Sequence, residues 1–246
     1  MNPLKSMDKK PSCSIIIPAR NEAENIESCI TRLPNFDVPT ELIFVEGGSA
    51  DNTWETILKI QEKYGDQFPI KCFRQDGYGK ADAVRMGFSK SVGDIVIILD
   101  SDLTVPPEEM LLFYESIANG ECEFANGCRL SYKIDPKAMP RINQLANHFF
   151  AKLLSLLLNI KINDSLCGTK AIARSNYLKM IEFNYLLGDN DPFGDFELIF
   201  GSSKLGLKIK DIPVHYYPRS YGKSNINHLK DGIKLLKVCW HIFLKR

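Results

Sequence analysis

An excess of charge of either sign is the first thing this 246-residue chain lacks. Thirty-one Lys and Arg stand against 30 Asp and Glu, for a formal net charge of +1. No whole-molecule field therefore draws it to nucleic acid, and any cationic function must be local. A bilayer-spanning run is missing as well. The longest apolar stretch, "FFAKLLSLLLNI" (149–160), is too short to span and contains Lys152. The N-terminal "MNPLKSMDKKPS" is too polar for a leader, so residues 1–12 read as a flexible terminus. Seven cysteines (Cys13, Cys29, Cys72, Cys122, Cys128, Cys167 and Cys239) contain no CxxC pair. An odd, scattered set argues against a disulfide framework and for reduced thiols in a cytosolic compartment. Internal repeats, low-complexity tracts and a clear interdomain linker are also absent. What remains is an ordinary globular composition, 44% hydrophobic and 25% charged, long enough to bury a substantial core.

Turning to what is present, the first half alternates. "CSIIIPA" (13–19), "ELIFVEG" (41–47), "IKCFR" (70–74) and "DIVIILD" (94–100) read as strands. Helical spacing fills 21–33, about 51–64, 80–90 and 107–118. Uninterrupted apolar strands separated by helices predict an α/β fold, a mostly parallel sheet flanked by helices. Ligands of such sheets lie beyond the carboxyl ends of the strands. Four polar turns fall there: Arg20-Asn21-Glu22, "EGGSADNT" (46–53), "DGYGKAD" (76–82) and Asp100-Ser101-Asp102. Each alone is an ordinary loop; their registration on one edge carries the weight. Past residue 120 a strand (122–130), a long apolar helix (141–160), a polar turn (161–170), a short strand, a helix (191–206), a strand (207–217) and a terminal helix from about 226 follow.

Two nucleotide-binding motifs fail. "GYGKAD" lacks the third glycine of a dinucleotide fingerprint, since Asp82 stands there, and it lacks the spacing and Ser/Thr of a P-loop. Glu46, Ser49 and Asp51 suit helix capping as well as hydrogen bonding to a ribose or base. Asp100 and Asp102, in an extended segment, would point to one face. Hard oxygen ligands of this kind beside a diphosphate favour Mg²⁺ or Mn²⁺. His215 reads as a half-buried sheet residue before a metal neighbour, and His148, His228 and His241 lack ligand spacing.

"SIIIPARNEAENI", "FVEGGSADNT", "GYGKADAVRMGF" and "IVIILDSDLTVPPE" resemble the nucleotide-sugar half of family 2 glycosyltransferases of GT-A fold, which is Rossmann-like. The members most similar in flavour are the dolichol-phosphate and undecaprenyl-phosphate sugar transferases. The resemblance implies a GT-A domain over 13–225, with a nucleotide-sugar half (13–120) and an acceptor half (121–225), and an amphipathic helix over 226–246. It implies donor binding by Pro18, Ala19, Arg20, Glu22, Glu46, Gly48, Lys80, Asp82, Asp100, Ser101 and Asp102, with Asp100 near the ribose and Asp102 on a diphosphate-bound metal. Glu46 stands where many relatives have Asp. In the second half it nominates Arg129 and the "NDSLCGTKAI" loop (Asp164, Cys167, Gly168) for the acceptor. Asp195, then Glu197, are nominated as the acidic base, and Arg219, Lys223 and Ser224 as a phosphate clamp, with Asn225 where Lys is usual. Against these stand plainer roles: Asp164 as a turn residue, Cys167 as a packed thiol, and Asp195 and Glu197 as acids favoured at a helix start.

The implied function is inverting transfer of a sugar from a UDP- or GDP-sugar to an acceptor, foremost a polyprenyl phosphate at the cytoplasmic membrane face. A glycan or small-molecule hydroxyl is the alternative acceptor, and a non-catalytic nucleotide-sugar-binding module the alternative class. A sugar-1-phosphate nucleotidyltransferase is disfavoured, because "PARNE" replaces its Gly-rich loop. Leu229, Ile233, Leu236, Trp240 and Phe243 recur every three or four residues among Lys230, Lys234, Lys237, Lys245 and Arg246. That pattern suits either a helix packed on the sheet or peripheral contact with a membrane surface.

Overall fold

A computed structural model describes residues 10–185, 187, 191, 193–222 and 228–245. β1 (Cys13–Ala19), β2 (Thr40–Glu46), β3 (Ile70–Arg74) and β4 (Ile95–Ile98) lie parallel, linked through α1 (Ser28–Thr31), α2 (Thr53–Tyr64) and α3 (Lys80–Lys90). Their apolar runs do not alternate because both faces of the sheet are covered. Ile15 and Ile17 enter one core, while Ile16 between them enters the other. A 3₁₀ turn (Pro107–Glu109) then leads into α4 (Met110–Ala118). β5 (Phe124–Cys128), α5 (Arg141–Leu158), β6 (Lys170–Ala173), α6 (Arg174–Glu182), α7 (Asp195–Lys204), β7 (Ile209–Pro213) and α8 (His228–Leu244) complete the described chain.

The seven strands form one sheet in the order β3-β2-β1-β4-β6-β5-β7. β6 is antiparallel to both β4 and β5, and β7 is parallel to β5. The sheet is thus mostly parallel and flanked by helices, as expected, with one reversed strand near its middle. β1 has β2 on one side and β4 on the other, so the chain's direction of winding switches there. A crevice opens outside the strand ends at such a point.

Three local expectations change. Residues 21–33 are not one helix: only Ser28–Thr31 is α-helical, and 23–27 are turns. Asn21 takes a left-handed φ of 56°, and the backbone N–H groups of Asn21 and Glu22 donate to Ser49 Oγ and Thr53 Oγ1 of the next turn. Those bonds hold the segment against its neighbour rather than in a helix. α6 was not anticipated, and β7 ends at Pro213 rather than 217.

α8 divides its apolar residues between two faces, one packed on the core and one turned outward. Leu235, Val238, Cys239 and Ile242 are buried in the core, whereas Ile233, Leu236, Trp240 and Phe243 point outward and are exposed. The side chains of 228–230, and Arg246, lie outside the described residues. α5 packs beside α8 and exposes Ile142, Leu145, Phe149 and Leu156. Arg141, Lys152, Lys234, Lys237 and Lys245 are exposed on these helices. Their one acid, Asp231, is buried and paired with Lys234 at 3.1 Å. Among the described residues no helix is long and apolar enough to cross a membrane. All seven cysteines are free thiols.

Candidate active site

The turns after β1, β2 and β4 lock together at the switch point. Ser101 donates its hydroxyl to the carbonyl of Pro18 at 2.8 Å, and the backbone N–H of Ala50 donates to Asn21 Oδ1 at 2.7 Å. Gly47 N–H reaches the Ala19 carbonyl at 2.9 Å. Glu46, almost fully buried, accepts the N–H of Ser49 at 2.5 Å and faces Arg74 at 3.8 Å. With Gly48, Trp54 and Arg74 it borders a hollow of ≈ 280 Å³. The Arg74 guanidinium lies over Trp54, and that of Arg20 over the exposed ring of Tyr78, 5.2 Å from its centre. Asp82 turns back to accept the Gly77 N–H at 3.0 Å, closing its own loop.

The Asp100–Asp102 pair does not stand on one face of an extended segment. β4 ends at Ile98, Ser101 and Asp102 form a turn, and Leu103 is left-handed at φ 56°. Each carboxylate meets its own cation: Lys80 at 2.5 Å from Asp100, and Arg219 at 2.5 Å from Asp102. Arg219 also reaches Glu22 at 3.0 Å. Burial and the neighbouring Asp102 carboxylate push Glu22 up to about 7, against the pull of Asn25 and Arg219. Burial disfavours the charge on Lys80, yet Asp100 and Asp195 hold its pKa above the usual lysine value. Residues 219–221 strap the site, with Ser220 Oγ on Asn25 Oδ1 and the Tyr221 hydroxyl on Asp51, both at 3.3 Å. Lys223 and Ser224 lie outside the described residues.

Asp100 and Asp102 fit a divalent ion in their chemistry. Both present hard carboxylate oxygens already balanced by positive charge, and among the described residues no cluster of three or more acidic, His or Cys side chains forms a closed cage. Two carboxylates suit Mg²⁺ or Mn²⁺ held jointly with phosphate oxygens. His215 lies beyond β7 rather than in the sheet, its side chain half exposed, with Nδ1 2.6 Å from Glu109 and its ring stacked on Tyr132.

The second half closes the site from the far side. The 161–169 loop presses its backbone on the donor side at Gly168, where a Cβ would collide with Lys80 Nζ and Asp100 Oδ2. Asp195 opens α7 after Gly194, whose φ is 80° and whose absent Cβ would sit 3.3 Å from Ala81 Cα. That glycine lets the helix start abut α3. Asp195 is 7% exposed. Its nearest ion-pair partner is Lys170 at 3.8 Å, and no hydrogen bond to its carboxylate is found among the described residues. Burial raises it to about 6, opposed by Lys170 and Lys80. Glu197 points elsewhere. Two residues further round a 100°-per-residue helix it faces away from Asp195, where it is buried, accepts the Leu187 N–H and meets Arg85 at 3.3 Å. It anchors α7 and is no alternative base.

Arg129 does not face an acceptor freely. It is buried in a two-pronged pair with Asp164, Nε at 2.8 Å and Nη2 at 2.9 Å, over the ring of Tyr216. Asn147 of α5 and the backbone N–H groups of Arg129 and Leu166 also donate to Asp164. Burial alone would raise this carboxyl, but Arg129 and the other donors hold it down to about 2. Cys167 is a buried thiol pushed up to about 12 by desolvation, so it is no nucleophile. Sequence reasoning missed Lys170, a lysine opening a buried strand, and Asp191, which accepts the N–H groups of Phe193 and Glu197 at the start of α7. The Asp-x-x-x-Asp spacing before that helix was the available capping signal.

Comparison with known proteins follows the same outline. The chain is 25% identical to glycosyltransferase AglD of Haloferax volcanii, over 94% of this chain and 38% of that protein. It is 36% identical to a dolichol-phosphate mannosyltransferase of Pyrococcus furiosus, over 47% of this chain and 32% of that protein. It therefore spans roughly a third of the length of these curated relatives. Glucosyl-3-phosphoglycerate synthase from Mycobacterium tuberculosis, solved with Mn²⁺, UDP-glucose and phosphoglyceric acid, superposes at TM-score 0.66. The two are 20% identical over 94% of this chain and 80% of that one, a likeness that establishes the GT-A fold alone. Residues 14–180 match the model for glycosyl transferase family 2, and this chain belongs to that family.

Proposed function

We propose that the protein is an inverting, metal-assisted glycosyltransferase that takes a sugar from a UDP- or GDP-sugar. The carrying observation is Asp195: a buried carboxylate that accepts no hydrogen bond among the described residues, set beside Gly168, Lys80 and the Asp100–Asp102 turn. The nucleoside sits over the turns bearing Pro18–Glu22, Glu46 and Lys80. Asp100 and Asp102 would hold the divalent ion, which would supply positive charge to the departing diphosphate. Arg219 and Lys80 change partners, leaving carboxylate for phosphate oxygens and stabilising the leaving group. The acceptor approaches from the Asp195 side, behind the anomeric carbon, which fixes inversion.

The acceptor class we favour is a polyprenyl phosphate at the cytoplasmic face of a membrane. Relatives named for dolichol-phosphate and undecaprenyl-phosphate transfer support it, as does the outward apolar face shared by α5 and α8, ringed by lysines. A basic, Trp-bearing apolar face suits an anionic lipid surface. The free Asp195 carboxylate favours a second reading, a hydroxyl acceptor that needs a base; a phosphate monoester is largely dianionic at neutral pH and needs none. A donor panel read by nucleoside diphosphate release, run with a short polyprenyl phosphate and an alkyl glycoside, separates the two. Asp195→Asn is expected to lower turnover roughly 10²–10⁴-fold with a hydroxyl acceptor, and by far less with the lipid phosphate. Equal loss with both acceptors would refute the division of roles.

A further inference from the structure

Lys170 opens β6 in the interior of the sheet and is 1% exposed. Its ammonium donates to the Cys167 carbonyl at 2.6 Å and to Asn126 Oδ1 at 2.8 Å. Both partners are neutral, so neither balances its charge. The third N–H is left toward Asp195 Oδ1, 3.8 Å away, close enough for ionic attraction but beyond a hydrogen bond. The cation therefore supports an ionised Asp195 without occupying the lone pairs a base requires. It is too buried to meet a substrate phosphate itself.

The same ammonium fixes the loop opposite the base. Its bond to the Cys167 carbonyl pins the peptide preceding Gly168, the backbone that lies against Lys80 and Asp100. Asn126 extends the network, donating through Nδ2 to the Asp164 carbonyl at 2.7 Å and to Asp211 at 2.8 Å. One buried charge thus ties three pieces with separate origins in the chain: the start of α7, the 161–169 loop and the centre of β5. Burying an ammonium is strongly unfavourable unless it is paired and hydrogen-bonded. A purely structural position would be filled more cheaply by an apolar side chain.

We propose that Lys170 is a positioning residue for sugar transfer, holding the Asp195 carboxylate ionised and aimed across the Gly168 turn. This rests on Asp195 being the base. The test is a double-mutant cycle of Lys170→Met with Asp195→Asn, assayed with UDP-glucose or GDP-mannose and an alkyl glycoside acceptor. Nucleoside diphosphate affinity is measured alongside by calorimetry. In the wild-type background Lys170→Met is expected to lower kcat about 100-fold, with donor KM and diphosphate Kd within about twofold. In the Asp195→Asn background the same change should cost less than about threefold, because the group it acts through is already gone. Lys170→Gln, which keeps a donor but not the charge, covers the case in which the methionine variant does not fold, and should show the same split. Equal factors in both backgrounds, or a loss confined to donor KM, would overturn the role of Lys170 alone. Wild-type turnover by Asp195→Asn with the hydroxyl acceptor would overturn the base assignment and the role of Lys170 with it.

Discussion

Asp195 and Asp164 are both buried carboxylates beside a basic side chain, yet burial pushes one to about 6 and the other is held near 2. The difference is the Arg129 charge in direct contact with Asp164, together with the hydrogen bonds around it. Asp164 receives five N–H donors from Arg129, Asn147 and Leu166, whereas the nearest cation to Asp195 stands off at 3.8 Å. Saturation makes Asp164 a structural ion, and openness leaves Asp195 able to act as the base proposed above. The sign of the pH effect follows. A base with a raised pKa loses its ionised form as pH falls through that value, so kcat with a hydroxyl acceptor should fall about tenfold per unit below pH 6. A pH–rate profile under saturating donor checks this, and a flat profile down to pH 5 would exclude Asp195 as the base. For Asp164 the expected outcome lies in stability. Asp164→Ala strands the buried Arg129 guanidinium and should cost about 3–5 kcal/mol in urea unfolding.

Helix ends, rather than helix bodies, place the chemistry. Lys80 and Asp195 are each the first residue of a helix that follows a glycine with positive φ, Gly79 and Gly194. At Gly194 two demands coincide: a φ of 80°, and a tight fit in which a Cβ would sit 3.3 Å from Ala81 Cα. Gly194→Ala should therefore cost about 1–2 kcal/mol and misplace Asp195. Calorimetric melting would report the first effect, and kcat at unchanged donor KM the second. These glycines bear on what the sequence could disclose. The four strand-end turns were legible because apolar runs stopping at polar turns are a local pattern, and the switch point gathers such turns by rule. Lys170, Asn126 and Asn147 were not legible. Each looks like an isolated polar residue in an apolar segment until strand pairing sets Lys170 opposite both Ile98 and Asn126. The burial of Arg129, expected to face the acceptor, was not legible for a related reason, since its partner Asp164 lies 35 residues onward in a loop. Spacing revealed the outward stripe of α8, while its buried stripe of Leu235, Val238, Cys239 and Ile242 depended on the core it meets.

Seen as one body, the molecule carries its site at the strand ends and its apolar, lysine-ringed face on α5 and α8. Asn147 of α5 joins the two regions by bonding Asp164 at 2.7 Å. Reversing three exposed charges, Lys234→Glu, Lys237→Glu and Lys245→Glu, should abolish flotation with vesicles containing anionic lipid, each lysine being worth about 1 kcal/mol at such a surface. Wild-type protein that stays unbound with and without anionic lipid would sink the membrane reading.

The reversed strand β6 has a consequence for how the chain comes into being. β4 is finished at Ile98, but the strand that covers its free edge begins only at Lys170. During synthesis the nascent parallel half thus offers an unpaired, wholly apolar edge of four residues while more than seventy further residues emerge. Such an edge is a template for pairing with other chains. The act that removes this hazard is the docking of β6, which also sets Lys170 between Ile98 and Asn126. Protection from aggregation thus comes with the placement of Lys170, before α7 emerges to meet it.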